Sequence, residues 1–166
     1  MSRVAAPPDV RESVLDAATR LMDRYGFKKM TMDAIAGEAG IGKATIYGYF
    51  ENKEDVALSV MRRYQETVKA GWHEIAEKDS PPDERVREML VVLVLAGFDK
   101  AQRCRQSMDE TLAALRHVIL QRGYQFSAEL ATILAVVLQQ GCISGLFADT
   151  DVNVSAQSMI TGISGW

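Results

Sequence analysis

The chain has 166 residues, of which 48% are hydrophobic and 25% charged, with a formal net charge of −3. That balance excludes a disordered polyelectrolyte, a collagen-like repeat and a disulfide-knotted scaffold, and leaves room for one compact core or two small modules. It also excludes a uniformly basic nucleic-acid binder, so affinity for a polyanion has to come from charge distribution. Residues 1–63 hold ten Lys or Arg against nine Asp or Glu, and residues 64–166 hold nine against thirteen. The first part permits a local basic surface from Lys28, Lys29, Lys43 and Lys53 without demanding one.

Two cysteines, Cys104 and Cys142, fit a reducing compartment, where an apolar core thiol is more usual than a disulfide. The N-terminus lacks the apolar stretch of a secretory signal. The longest apolar run, Met89 to Phe98, is half of the ~20 residues a bilayer helix needs. A cytoplasmic protein with no membrane partner is expected. The prolines stand at 7, 8, 81 and 82, and few stretches alternate as strands do, so the chain is expected to be all-α.

After a lead-in of eight residues, Asp9 and Glu12 form a capping-box-like pair, and Val10, Val14, Ala17, Leu21 and Tyr25 recur at helical spacing up to Gly26. Thr31 to Lys53, TMDAIAGEAGIGKATIYGYFENK, reads as two short helices joined by a glycine-bearing turn. Thr31 caps the first of them, Ile35, Ala36 and Ala39 mark its buried side, and Gly40 suits the left-handed residue that ends it. Gly42 or Lys43 opens the second. Ile46 and Phe50 face inward at i and i+4, which leaves Lys43, Thr45, Tyr47 and Tyr49 outward along a rod from Lys43 to Phe50. Two helices in this arrangement make a helix-turn-helix, whose second helix enters the major groove of double-stranded DNA.

Asn52, with Asp55 three residues on, caps a fourth, long helix with an apolar face of Ala57, Val60, Met61, Tyr64, Val68, Trp72 and Ile75. Ser80 and the two prolines after it start a fifth helix. That helix is apolar on every side from Met89 to Phe98, as expected of a central rod enclosed by others. Short helical segments are expected around Asp99 to Arg105 and Met108 to Arg122. Gly123 separates them from a long apolar helix, Phe126 to Phe147, and Val152 to Trp166 forms a last segment. Gly141 and Gly145, four apart, permit close approach of a neighbouring helix, either within one subunit or between two.

The residues Ala17-Ala18, Leu21, Tyr25-Gly26, Thr31, Ile35-Ala36, Ala39-Gly40-Ile41, Lys43-Ala44-Thr45-Ile46-Tyr47, Tyr49-Phe50 and Asn52-Lys53-Glu54 together resemble the TetR family of bacterial transcriptional regulators. The resemblance covers residues 9–68 as a three-helix DNA-binding module, with the helix-turn-helix at 31–53. It implies a larger helical domain, residues 69–166, for ligand binding and dimerisation. It also implies phosphate contacts from Thr31, Tyr47 and Lys53, and groove-facing positions at Lys43, Ala44, Thr45, Gly48 and Tyr49. Family members often carry serine where Gly42 stands and a larger side chain where Gly48 stands, so Gly48 removes one base-reading group. Homodimerisation through residues 124–166 and a small-molecule effector follow from the same likeness, and the want of clustered Arg in the acidic second half favours an apolar or aromatic effector over a polyanion. An effector pocket is expected to be lined by Trp72, Met89, Leu93, Phe98, Cys104 and Met108. The leading expectation is a repressor released from its operator by that effector; the alternatives are a constitutive DNA-binding protein without inducer and, a distant third, a nucleotide-binding protein using residues 37–43.

Gly37 to Lys43 fits the first seven positions of a phosphate-binding loop, but Ala44 stands where a hydroxyl should ligate Mg²⁺ and no strand precedes it. Asp149, Asp151 and Asn153 imitate the start of an EF-hand, yet Val154 and Ile160 replace its required Gly and Glu. His73 and His117 lack a second ligand at i+4. No cofactor, metal site or catalytic group is expected, and the chain is read as a non-enzyme.

Overall fold

The computed structural model describes residues 9–104 and 112–164. All regular elements among them are helical: α1 (Val10–Tyr25), a 3₁₀ turn (Phe27–Lys29), α2 (Met32–Ala39), α3 (Lys43–Tyr47), α4 (Lys53–Ala76), α5 (Pro82–Cys104), α6 (Leu112–Ile143) and α7 (Val152–Ser164). The described residues divide into two compact units, one holding residues 9–63 and 112–113 and the other residues 64–104 and 114–164.

In the first unit, Asp9 caps α1 by accepting from Arg11 N at 2.9 Å. The helix buries Val14, Leu15, Ala17, Ala18 and Leu21. Tyr25, on the same stripe by periodicity, is 52% exposed. α1 ends at Gly26, whose φ of 76° turns the chain, and Phe27 enters the core instead. Thr31 Oγ1 accepts from Ala34 N at 3.1 Å and so caps α2. Gly40 ends that helix at φ 69°, ψ 29°, a left-handed conformation that a side chain would strain. The start of α4 is closed in both directions, since Asp55 N donates to Asn52 Oδ1 at 2.8 Å and Glu51 N to Asp55 Oδ2 at 3.3 Å. Arg63 reaches from α4 to Glu12 Oε2 (3.0 Å) and Asp16 Oδ1 (2.7 Å) on α1.

The second unit packs Val68, Trp72 and Ile75 of α4 with Met89 and Leu93 of α5, a face of α6 from Leu130 to Leu138, and Ala156 and Ile160 of α7. Of the α4 stripe expected from the sequence, Val68, Trp72 and Ile75 are buried, Ala57, Val60 and Met61 are half-buried and Tyr64 is exposed, while Val56 and Ser59 take the buried positions of the first turns. The Pro81 carbonyl accepts from Arg85 N at 3.2 Å, so Pro81 and not Ser80 opens α5. Three sequence expectations are corrected here. α5 is not enclosed on all sides: Met89 and Leu93 are buried, but Val91, Val94 and Leu95 are half exposed or more. No separate short helices flank position 99 or stop at Gly123, because α5 runs to Cys104 and α6 runs unbroken through a buried Gly123. A glycine costs only about 1 kcal/mol in a helix, less than burial of the surrounding apolar face returns. Finally, the 24 residues Leu120–Ile143 are long and apolar enough to cross a membrane by composition, which the sequence reading overlooked. Half of its most apolar 18-residue window is buried, as in the core helix of a globular bundle.

The two glycines of α6's end have separate local tasks. A Cβ on Gly141 would lie 2.1 Å from Cδ2 of Phe147, so the ring folds back over the bare backbone. Gly145 takes φ 74° in the turn that follows. Cys142 is half buried and not a core thiol; its Sγ donates to Ala148 O at 3.4 Å. Asp151 Oδ1 accepts from Asn153 N (3.0 Å) and Val154 N (3.1 Å), so the EF-hand-like carboxylate serves as the cap of α7.

Candidate nucleic-acid interface

α3 has five residues and buries one of them, Ile46. A helix this short has no stability of its own, so its orientation is set by Ile46 and, just beyond it, Phe50, both essentially inaccessible to water. The rod is shorter than its sequence suggests. Gly48 N donates to Thr45 O (3.1 Å) and Tyr49 N to Ile46 O (3.1 Å), so Gly48 and Tyr49 belong to a tightened final turn and not to the helix body.

Opposite these anchors, Lys43, Ala44, Thr45, Tyr47, Gly48 and Tyr49 are all exposed, the two tyrosines by about half. Thr31 is exposed as well, at the first turn of α2, and its hydroxyl hydrogen remains available to an acceptor after capping. The outer face of this unit thus gathers one ammonium, two hydroxyls, two phenols and a methyl, side chains suited to phosphates and base edges. Lys53 is only half exposed. Its Nζ lies 4.6 Å from the Phe27 ring centroid and 3.5 Å from Phe27 O, so the ammonium is held against the 3₁₀ turn at the start of α4.

Several contacts escaped the sequence reading. Lys43 Nζ pairs with Asp33 Oδ1 at 2.8 Å, and the hydrogen bond and charge of Asp33 raise the lysine's pKa, keeping it fully protonated. Arg11 lies over the Phe50 ring at 5.6 Å, and Arg20 binds Glu38 at 2.7 Å. Burial alone would lower the pKa of Arg63, but its bonds to Glu12 and Asp16 outweigh that and raise it. Spacing in sequence carries no signal for these pairs, whose members come from segments far apart in the chain or from separate helices.

The segment that imitates a phosphate-binding loop is the last turn of α2 and the bend after it. Gly40 N and Ile41 N donate to Gly37 O (3.2 Å) and Ala36 O (3.0 Å), so these N–H groups are spent closing a helix and are not free for an anion.

Of the expected effector-lining residues, Trp72, Met89 and Leu93 come together in the core of the second unit. The Trp72 indole N–H is fully buried with no hydrogen-bond partner among the described residues. Phe98 and Cys104 fall outside the residues whose side chains are described, and Met108 lies outside the described residues altogether. An open groove of about 430 Å³ runs along α5, lined by the apolar Val86, Leu90, Val91, Val94, Leu95 and Phe147 together with Asp83 and Arg87.

This geometry, in which the short α3 follows α2 and stands on two buried anchors with its polar face outward, is that of a helix-turn-helix, a motif whose second helix enters the major groove of DNA. Residues 14–60 match the model of the bacterial regulatory proteins of the tetR family. Over that segment, which is most of the first unit, the chain is similar to the TetR family of transcriptional regulators. It is 26% identical to the uncharacterised HTH-type transcriptional regulator YhgD of Bacillus subtilis, over 92% of this chain and 79% of that protein. It is 28% identical to the fatty acid metabolism regulator protein of the same organism, over 90% of this chain and 76% of the other. A transcriptional regulator from Cytophaga hutchinsonii shares its fold at a TM-score of 0.80 and 21% identity, covering 93% of this chain and 78% of that one.

Proposed function

We propose that the protein is a cytoplasmic repressor that binds a palindromic operator as a homodimer and leaves it when a small apolar or aromatic effector binds. The observation that carries this reading is the outward face of α3, with Lys43, Ala44, Thr45 and Tyr47 exposed and Ile46 buried beneath them. In this reading Thr31, Tyr47 and Lys53 contact phosphates, while Lys43, Ala44, Thr45, Gly48 and Tyr49 meet base edges. Two such helices have to lie about 34 to 36 Å apart to enter successive major grooves.

Dimerisation through residues 124–166 is supported by the apolar side chains that α6 and α7 leave exposed, among them Val136, Ile143, Val154 and Met159. The effector site is assigned to residues 69–166, around Trp72, Met89, Leu93, Phe98, Cys104 and Met108. An unpartnered buried indole N–H there supports a ligand with an apolar body and one acceptor. The name of the fatty acid metabolism regulator, 28% identical, fits an apolar effector class. Release requires only that the effector favour dimers with the wrong helix spacing, a coupling of about 1 to 3 kcal/mol.

The test is fluorescence anisotropy on duplexes selected from a randomised library, with and without a panel of fatty acids and aromatic acids. The expected result is a palindromic selected sequence and a drop in affinity with at least one acid. The continuous core around Trp72, Met89 and Leu93 favours the second reading, a DNA-binding protein without effector. Affinity unchanged across such a panel would establish it.

A further inference from the structure

The outer face of α3 carries a single cation, and that cation is already engaged. Lys43 Nζ lies 2.8 Å from Asp33 Oδ1 and 3.1 Å from Asp33 Oδ2, with both side chains more than 60% exposed. An ion pair so open to water contributes little to stability, so the fold does not need it. Asp33 in the first turn of α2 is favourable beside the helix N-terminus whether or not a lysine faces it. The other acid between Thr31 and Gly48, Glu38, is bound to Arg20 at 2.7 Å and plays no part on this face.

A carboxylate on a DNA-facing surface repels phosphate and occupies the lysine that would otherwise attract it. The consequence is weak binding to DNA of arbitrary sequence, since counterion release by lysine and arginine supplies nearly all of that affinity. The same pair sets an ammonium donor and a carboxylate acceptor side by side at the start of α3, the part of a recognition helix that meets base edges. In the major groove a C·G pair presents the complement: the cytosine N4 amino group donates, and guanine O6 and N7 accept.

We propose that Asp33 is a specificity-determining residue, which keeps Lys43 off phosphates and reads a C·G base pair together with it. The inference rests on the DNA-binding reading above but goes beyond it, because Asp33 is assigned no contact there.

The experiment compares the wild type with Asp33→Asn, Asp33→Glu and Asp33→Asn/Lys43→Ala, all as full chains. Each is tested on duplex of random sequence across a salt series, and each selects duplexes from a randomised library. Asp33→Asn frees Lys43, so random-sequence binding tightens several-fold and the log K against log[salt] slope steepens by about 0.9. Its selected sequences lose one C·G position in each half-site that the wild type retains. Asp33→Glu keeps the wild-type slope, and removing Lys43 from the Asn variant restores it. Should Asp33→Asn melt early, Asp33→Ser, which also suits a helix start without charge, takes its place.

An unchanged slope and unchanged selected bases in the Asn and Ser variants overturn the inference and leave the regulator reading intact. A wild type that enriches no duplex at all overturns that reading and this one together.

Discussion

Truncation of Ile46 to alanine removes three carbons from a side chain with no accessible surface. At roughly 0.8 kcal/mol per buried carbon the transfer loss is about 2.4 kcal/mol, and the unfilled cavity brings the total to about 3 kcal/mol. The loss is concentrated where it can be least absorbed, because Ile46 is the one buried residue among the five of α3. For a unit of this size each kcal/mol shifts the melting transition by roughly 4–8 °C, so the N-terminal unit should melt roughly 12–24 °C lower. Below that temperature α3 should still open locally far more often than before. The Phe50 N–H, which donates to Ile46 O at 3.0 Å, reports this directly by hydrogen exchange. Circular dichroism gives the melt, and anisotropy on the selected duplex gives a loss of affinity larger than any single exposed substitution produces. An Ile46→Ala protein with unchanged melt, unchanged Phe50 exchange and full DNA affinity would refute the claim that buried anchors hold this helix against the duplex.

Lys53→Ala should weaken binding to all sequences alike and flatten the salt slope by about 0.9; a slope equal to the wild type's would remove Lys53 from the phosphate contacts. Thr45→Ala should lose discrimination at one operator position, at about 1–3 kcal/mol, and equal losses on selected and random DNA would refute base reading. Gly141→Ala should displace Phe147, because its new Cβ would fall 2.1 Å from that ring, and a melt identical to the wild type's would contradict the packing. The pKa of Lys69 is raised by its hydrogen bonds to Glu129 and Glu66. A lysine raised on folding contributes stability that is complete below its unfolded pKa and is lost as pH rises through the folded one. Lys69→Met should therefore change a melt measured at neutral pH slightly and one measured well above pH 10 not at all.

Local chemistry was legible in the residues themselves. Asp9, Thr31 and Asn52 cap the helices they precede, and Gly40 takes the left-handed conformation its position suggests, because each needs only neighbours within four residues. The inward turn of Ile46 and Phe50 follows from helical spacing over the same short range. Together these determined the helix-turn-helix and the all-α class. Tertiary structure decided whatever depends on which surface lies opposite. Gly123 stays helical because its surroundings bury it, Val91 and Leu95 stay open because no described helix covers that side of α5, and Tyr25 yields its core place to Phe27. The charges divide in the same way: that Lys43 meets Asp33, and that Lys53 lies over Phe27, depends on how separate helices cross. A linear pattern records the side a residue faces along its own helix, whereas the partner it meets is set by packing between helices.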